Sequence, residues 1–105
     1  MAAKRTAKAG LIPVGFQAMA LSNSTAVALN STIRANASVL DIDVVTAAAR
    51  YRADATDPTS TTGVLLPVGW YRWEGYNGTA NLKFIQDTGT SNVTIFAWRH
   101  AGGTR

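Results

Sequence analysis

Seven consecutive residues, Val39-Leu40-Asp41-Ile42-Asp43-Val44-Val45, constrain the fold more than any others, because Leu40, Ile42 and Val44 alternate with Val39, Asp41 and Asp43. A period of two is the strand repeat, in which successive side chains leave opposite faces. One face is core and the other is wet. The same alternation returns downstream: Trp70, Arg72 and Glu74 share one face while Tyr71 and Trp73 share the other. Leu82, Phe84 and Gln86 stand opposite Lys83 and Ile85, and Thr94, Phe96 and Trp98 stand opposite Val93, Ile95 and Ala97.

Turn formers separate these runs. Ser22 to Ser24, Asn30-Ser31-Thr32, Pro67-Val68-Gly69, Asn77-Gly78 and Thr88 to Asn92 each supply residues that favour reversal. Leu11 to Leu21 is apolar but broken by Pro13 and Gly15, which suits an edge strand. Thr25 to Asn30 alternates through Val27 and Leu29, and Ile33, Ala35 and Ala37 are expected to share a face. Thr46 to Ala49 reads as a connection, Arg50-Tyr51-Arg52 alternates again, and Ala53 to Gly63 is a long polar loop ordered by Asp-Pro and by its hydroxyls. Val64 to Leu66 is expected to dip back into the interior.

Roughly seven or eight short strands with turn signals about every 8 to 12 residues imply an all-β chain, an antiparallel sandwich or a jelly-roll-like barrel. At 105 residues it is one domain. Residues 1–10 read as a basic N-terminal arm, 11–100 as the β-sandwich and 101–105 as a tail.

Much of the 47% apolar content is alanine, which buries little area per residue, so association between copies would help such a chain. There is no cysteine and a single histidine, His100, which removes disulfides, thiolate metal sites, a cysteine nucleophile and every His-rich centre. The net charge of +4 is unevenly placed: Lys4, Arg5, Lys8, Arg99 and Arg105 lie at the ends, leaving five basic residues against six acidic ones between them. A basic arm on a near-neutral body reads as a tether to an acidic surface, with a solubilising terminus as the plainer alternative. Three charges are too few for strong phosphate binding, so no specific nucleic-acid partner is expected. Nothing approaches the ~20 apolar residues of a membrane-spanning helix. A signal peptide from Lys4 through Ala20 is opposed by Pro13, Gly15 and Gln17.

Several groups invite a chemical reading. Asp41 and Asp43 leave one face of a strand, Arg50 and Arg52 have the same spacing, and antiparallel pairing of the two segments would set these charges opposite one another. A glycosidase-like carboxylate pair is opposed by their place on one strand. Asp54 and Asp57 are a thin supply for calcium, which takes six to eight oxygens, and turn formation accounts for them. Trp70, Tyr71, Trp73 and Tyr76 are expected to divide between core and interface, with a sugar-stacking platform as the sharper alternative. Asn23, Asn30, Asn36, Asn77 and Asn92 each begin an Asn-X-Ser/Thr triplet and read as turn residues. No nucleophile, base and orienter set appears, and neither a metal nor a cofactor is expected.

One pattern extends from Phe16 to Trp98. It runs through Ala20-Leu21-Ser22, Arg50-Tyr51-Arg52, Thr56-Asp57-Pro58-Thr59, Gly63, Leu66, Gly69, Gly75 and Leu82-Lys83-Phe84-Ile85. In this the chain resembles a family of small proteins encoded among the virion structural genes of tailed bacteriophages. Members often carry Asp-Gly-Thr where this chain has Asp54-Ala55-Thr56. The resemblance implies a non-enzymatic virion β-sandwich, foremost a decoration or cement protein on the head, assembled in the host cytoplasm. Its implied partners are the major capsid protein or another virion protein, and further copies of itself. A neck, tail or fibre component is the alternative within that class, and a carbohydrate-binding module the alternative outside it. The expected contact residues are Lys4, Arg5 and Lys8 in the arm, Asp54, Asp57, Pro58 and Thr59 in the loop, and Trp70 and Trp73 in the aromatic strand.

Overall fold

A computed structural model describes residues 10–74 and 81–100. They form eight strands and one short helix: β1 (Leu11–Ala20), β2 (Val27–Ala28), α1 (Ser31–Asn36), β3 (Val39–Val45), β4 (Ala49–Arg52), β5 (Val64–Leu66), β6 (Gly69–Glu74), β7 (Lys83–Gln86) and β8 (Asn92–His100). Every ladder is antiparallel. One sheet runs β1-β8-β3-β6 and the other β2-β7-β4-β5. The pairs 4–5, 3–6, 2–7 and 1–8 are nested, as if one long hairpin had been rolled up into two sheets. That connectivity is a jelly roll, and the expected all-β sandwich is the observed architecture.

Alternation decides what each sheet buries. Leu40, Ile42 and Val44 of β3, Val93, Ile95 and Ala97 of β8, and Met19 of β1 point inward from the first sheet; Phe84 and Ala49 meet them from the second, together with Leu82 just before β7. Tyr51, Leu66, Tyr71 and Trp73 pack at the margin of this core. Gln17 ties the layers at one side, where Nε2 donates to the Ala28 carbonyl at 3.2 Å and Oε1 accepts from the Asn30 N–H at 2.7 Å. The edge strand β1 is thereby fastened across the sandwich to β2.

Two local expectations are corrected. Ser31 to Asn36 is helical rather than turn and strand, because Asn30 caps it: the Asn30 side chain accepts from the Ile33 N–H at 2.9 Å. Ile33 is fully buried and Ala35 is exposed, so the two do not share a buried face. Nor do Val64 to Leu66 enter the core as a unit. Val64 and Leu65 are 53% and 44% exposed, and only Leu66 packs inward, because among the described residues this short edge strand has one neighbour strand, β4.

The remaining boundaries follow from backbone chemistry. Pro13 lies on the edge strand beside a register shift between Pro13 and Gly15, where a missing N–H is tolerated. Thr46 turns the chain at φ 78°, and the Ala47 N–H reaches back to the Val45 carbonyl at 2.9 Å. The Asn77-Gly78 turn lies outside the described residues.

Candidate functional site

The outer face of the β1-β8-β3-β6 sheet carries the densest chemistry. The register sets Phe16, Phe96, Asp41 and Arg72 in one row across four strands, and Ala18, Thr94, Asp43 and Trp70 in the next. Trp98 lies beside Val39 in the row beyond. Asp41 is 3% exposed although it faces away from the core, because its neighbours close over it. Arg72 Nε donates to Asp41 Oδ1 at 2.7 Å and Arg72 Nη2 to Oδ2 at 3.0 Å, while Trp98 Nε1 donates to Oδ2 at 2.9 Å. A bidentate fork plus an indole satisfies most of the carboxylate's acceptor capacity. The hydrogen bond to Asp41 raises the Arg72 guanidinium further above its already high ordinary value, against the opposing effect of burial.

Above this network the surface is aromatic. Phe96 and Trp98 lie with ring centroids 4.8 Å apart at 45°, and Phe16, 59% exposed, is directly across from Phe96. Phe16, Asp41, Thr94, Phe96 and Trp98 enclose a groove of about 290 Å³.

Charges expected to pair do not meet. β3 and β4 belong to different sheets, so Asp41 and Asp43 are separated from Arg50 and Arg52 by the core. Arg50 instead bonds Asp87 at 2.7 Å, and Arg52 forks onto Asp54.

The Asp54-to-Gly63 loop is fastened to its own sheet. Arg50 donates to the carbonyls of Ser60 and Gly63, each at 3.1 Å, and Lys83 pairs with Asp57 at 2.7 Å. Pro58 is buried, and a Cβ on Gly63 would stand 3.0 Å from the Tyr51 carbonyl oxygen and 3.3 Å from Pro58 Cβ. Gly63 also holds φ 138°, so that position requires glycine. Asp54 accepts from the Thr56 N–H at 3.3 Å, and Thr59 Oγ1 accepts from the N–H groups of Thr61 and Thr62. These are turn contacts, and the described residues contain no group of three or more His, Cys, Asp or Glu able to hold a metal ion. The hydrogen bond from Arg52 holds the Asp54 carboxyl below its ordinary 3.8.

The aromatic strand divides as its alternation requires. Trp73 points inward and meets Tyr51 edge-on at 5.4 Å, while Trp70 lies on the outer face with the Arg72 guanidinium 5.8 Å from its ring centroid. A Trp70/Trp73 sugar platform is therefore not assembled, since one ring is inside and the other lies against a cation. Inside the sandwich, Tyr51, Leu66, Tyr71, Trp73 and Phe84 line a gap of about 160 Å³. Lys4, Arg5 and Lys8 lie outside the described residues.

A second exposed surface lies at the other end of the strand order. Val64 and Leu65 on the edge strand β5, which leave opposite faces of the strand, and Val68 at 56% exposure in the following turn are all exposed. The Phe16–Phe96 groove is not assembled by sequence spacing. Alternation put Phe96 and Trp98 on one face with Thr94, but only the pairing of β1 with β8 brings Phe16 to them.

Comparison with protein-family models, with curated proteins and with solved structures finds no match.

Proposed function

We propose that this chain is a non-enzymatic structural protein of a tailed-phage particle, a decoration or cement protein that attaches to the outside of the head and works as an oligomer. The observation that carries this reading is that β5 is an edge strand among the described residues, with Val64, Leu65 and the nearby Val68 exposed. Among the described residues β5 pairs with β4 alone, so the backbone groups along its other side offer a strand from a neighbour a place to add. Exposed valine and leucine beside such an edge supply area for burial, and a contact of this kind holds two chains together without any reacting group. The sequence resemblance supplies the context, and the jelly roll supplies a rigid block on which such an edge is presented. Lys4, Arg5 and Lys8 would add attraction to an acidic shell surface. Binding to the assembled shell but not to free subunits then stabilises the shell by mass action.

The test is location and consequence together. Antibody labelling of particles places the protein on the head surface, and particles lacking it lose heat resistance that added protein restores. Labelling confined to the neck, tail or fibres would move the reading to a component of those parts. Particles that contain none of the protein would end it.

A further inference from the structure

We infer that the groove between Phe16, Phe96 and Trp98 is a binding site for a saccharide ring, with Asp41 as the acceptor that orients it. Asp41 Oδ2 accepts two hydrogen bonds and Oδ1 accepts one, so among the described residues one acceptor position of a carboxylate's roughly four is unfilled. Asp41, 3% exposed, and Thr94 both line the groove.

The ligand class follows from what the groove offers and what it withholds. Phe16 and Phe96 present exposed ring area for stacking, which favours a partner with a flat apolar face. Asp41 is already neutralised by a bidentate guanidinium, so a neutral hydroxyl suits the remaining position better than a second cation. Arg72 is turned onto Asp41 and is not among the residues lining the groove, so a phosphate would find no cation there, which disfavours a nucleotide. β8 is paired on both sides, by β1 and β3, so a peptide laid here would gain no main-chain bonds. A ring that is apolar on its face and rich in hydroxyl donors at its rim is a sugar. At about 290 Å³ the groove takes one residue or a chain end rather than a long polymer. This inference stands on a different surface from the virion reading and does not depend on it.

Full-length, isotope-labelled protein titrated with glucose, galactose, mannose and N-acetylglucosamine through the millimolar range provides the test. The resonance of the Trp98 indole N–H, which is bonded to Asp41, is the reporter, and sorbitol is the control with hydroxyls but no ring face. The expected result is a saturable shift of that resonance with at least one ring sugar and none with sorbitol. Phe96→Ala and Phe16→Ala, both at exposed positions, should each weaken binding about fivefold. Immobilised glycans tested in parallel distinguish a free sugar from the end of a polymer. No shift with any sugar, an equal shift with sorbitol, or undiminished binding by both variants would overturn the proposal. So would self-association of the wild type that Phe16→Ala abolishes, since the face would then belong to a second copy.

Discussion

Single residues here answer to their immediate partners, and Asp41 is the clearest case. Its carboxylate joins three strands, receiving Trp98 from β8 and Arg72 from β6. Removing it leaves a guanidinium at 16% side-chain exposure and an indole N–H without their acceptor. Asp41→Ala should therefore lower unfolding free energy by roughly 3–5 kcal/mol, read from urea denaturation. Ala55 behaves in the opposite sense. It holds φ 70°, a left-handed conformation costing a residue with a Cβ roughly 1–2 kcal/mol, whereas glycine loses roughly 0.5–1 kcal/mol in unfolded-chain entropy. Ala55→Gly should raise stability by about 0.5–1 kcal/mol, seen as a melting temperature a few degrees higher. Position 55 thus holds a backbone that glycine adopts more readily than alanine. Asp54 next door reports on pH. Its folded value is depressed by Arg52, so the stabilisation is complete above the ordinary 3.8 and is lost as pH falls through the lower folded value. The Thr56 amide, bonded to Asp54, should titrate with a midpoint below 3.8; a midpoint at or above 3.8 would remove the pairing.

Elements were legible in the sequence in proportion to their alternation. β3 spans Val39 to Val45 as its period-two pattern required, and the faces of β6 and β8 divide as read. Spacing within a strand fixes which side chains share a face, but not which strand lies next to it. That is why Arg72 rather than Arg50 or Arg52 emerged as the partner of Asp41: the pairing of β3 with β6 crosses 31 residues of chain. α1 was missed for a different reason. Six residues are too few to show a helical repeat, and an isolated helix of that length is unstable, so its helicity comes from the Asn30 cap and from burying Ile33. Asn30→Ala should cost about 1 kcal/mol, while Asn30→Asp should preserve most of it because the carboxylate still accepts from the Ile33 N–H. Equal losses for the two would show that the cap contributes nothing.

At the scale of the whole molecule, the Phe16–Phe96 groove and the exposed residues around β5 lie on different sheets. In the nested strand order of the described residues β1 and β6 bound one sheet and β2 and β5 bound the other, so exposed Val64 and Leu65 sit on a sheet edge while the Phe16–Phe96 groove lies on the other sheet's outer face. The proposed attachment through the β5 edge and the proposed sugar contact in the groove can thus operate at once, and each can be removed alone. Leu65 is 44% exposed and outside the core, so Leu65→Lys should leave the melting temperature within a few degrees of wild type. It also places a charge on the open edge, the device by which sheet edges discourage pairing. On the cement reading, particles assembled with Leu65→Lys should carry at least about tenfold less of the protein, equivalent to about 1.4 kcal/mol at the contact. Phe16→Ala should leave occupancy unchanged. Quantitative gel analysis of purified particles measures both. Full occupancy by the lysine variant would take the attachment away from β5, and loss of occupancy by Phe16→Ala would give it to the face that holds the groove.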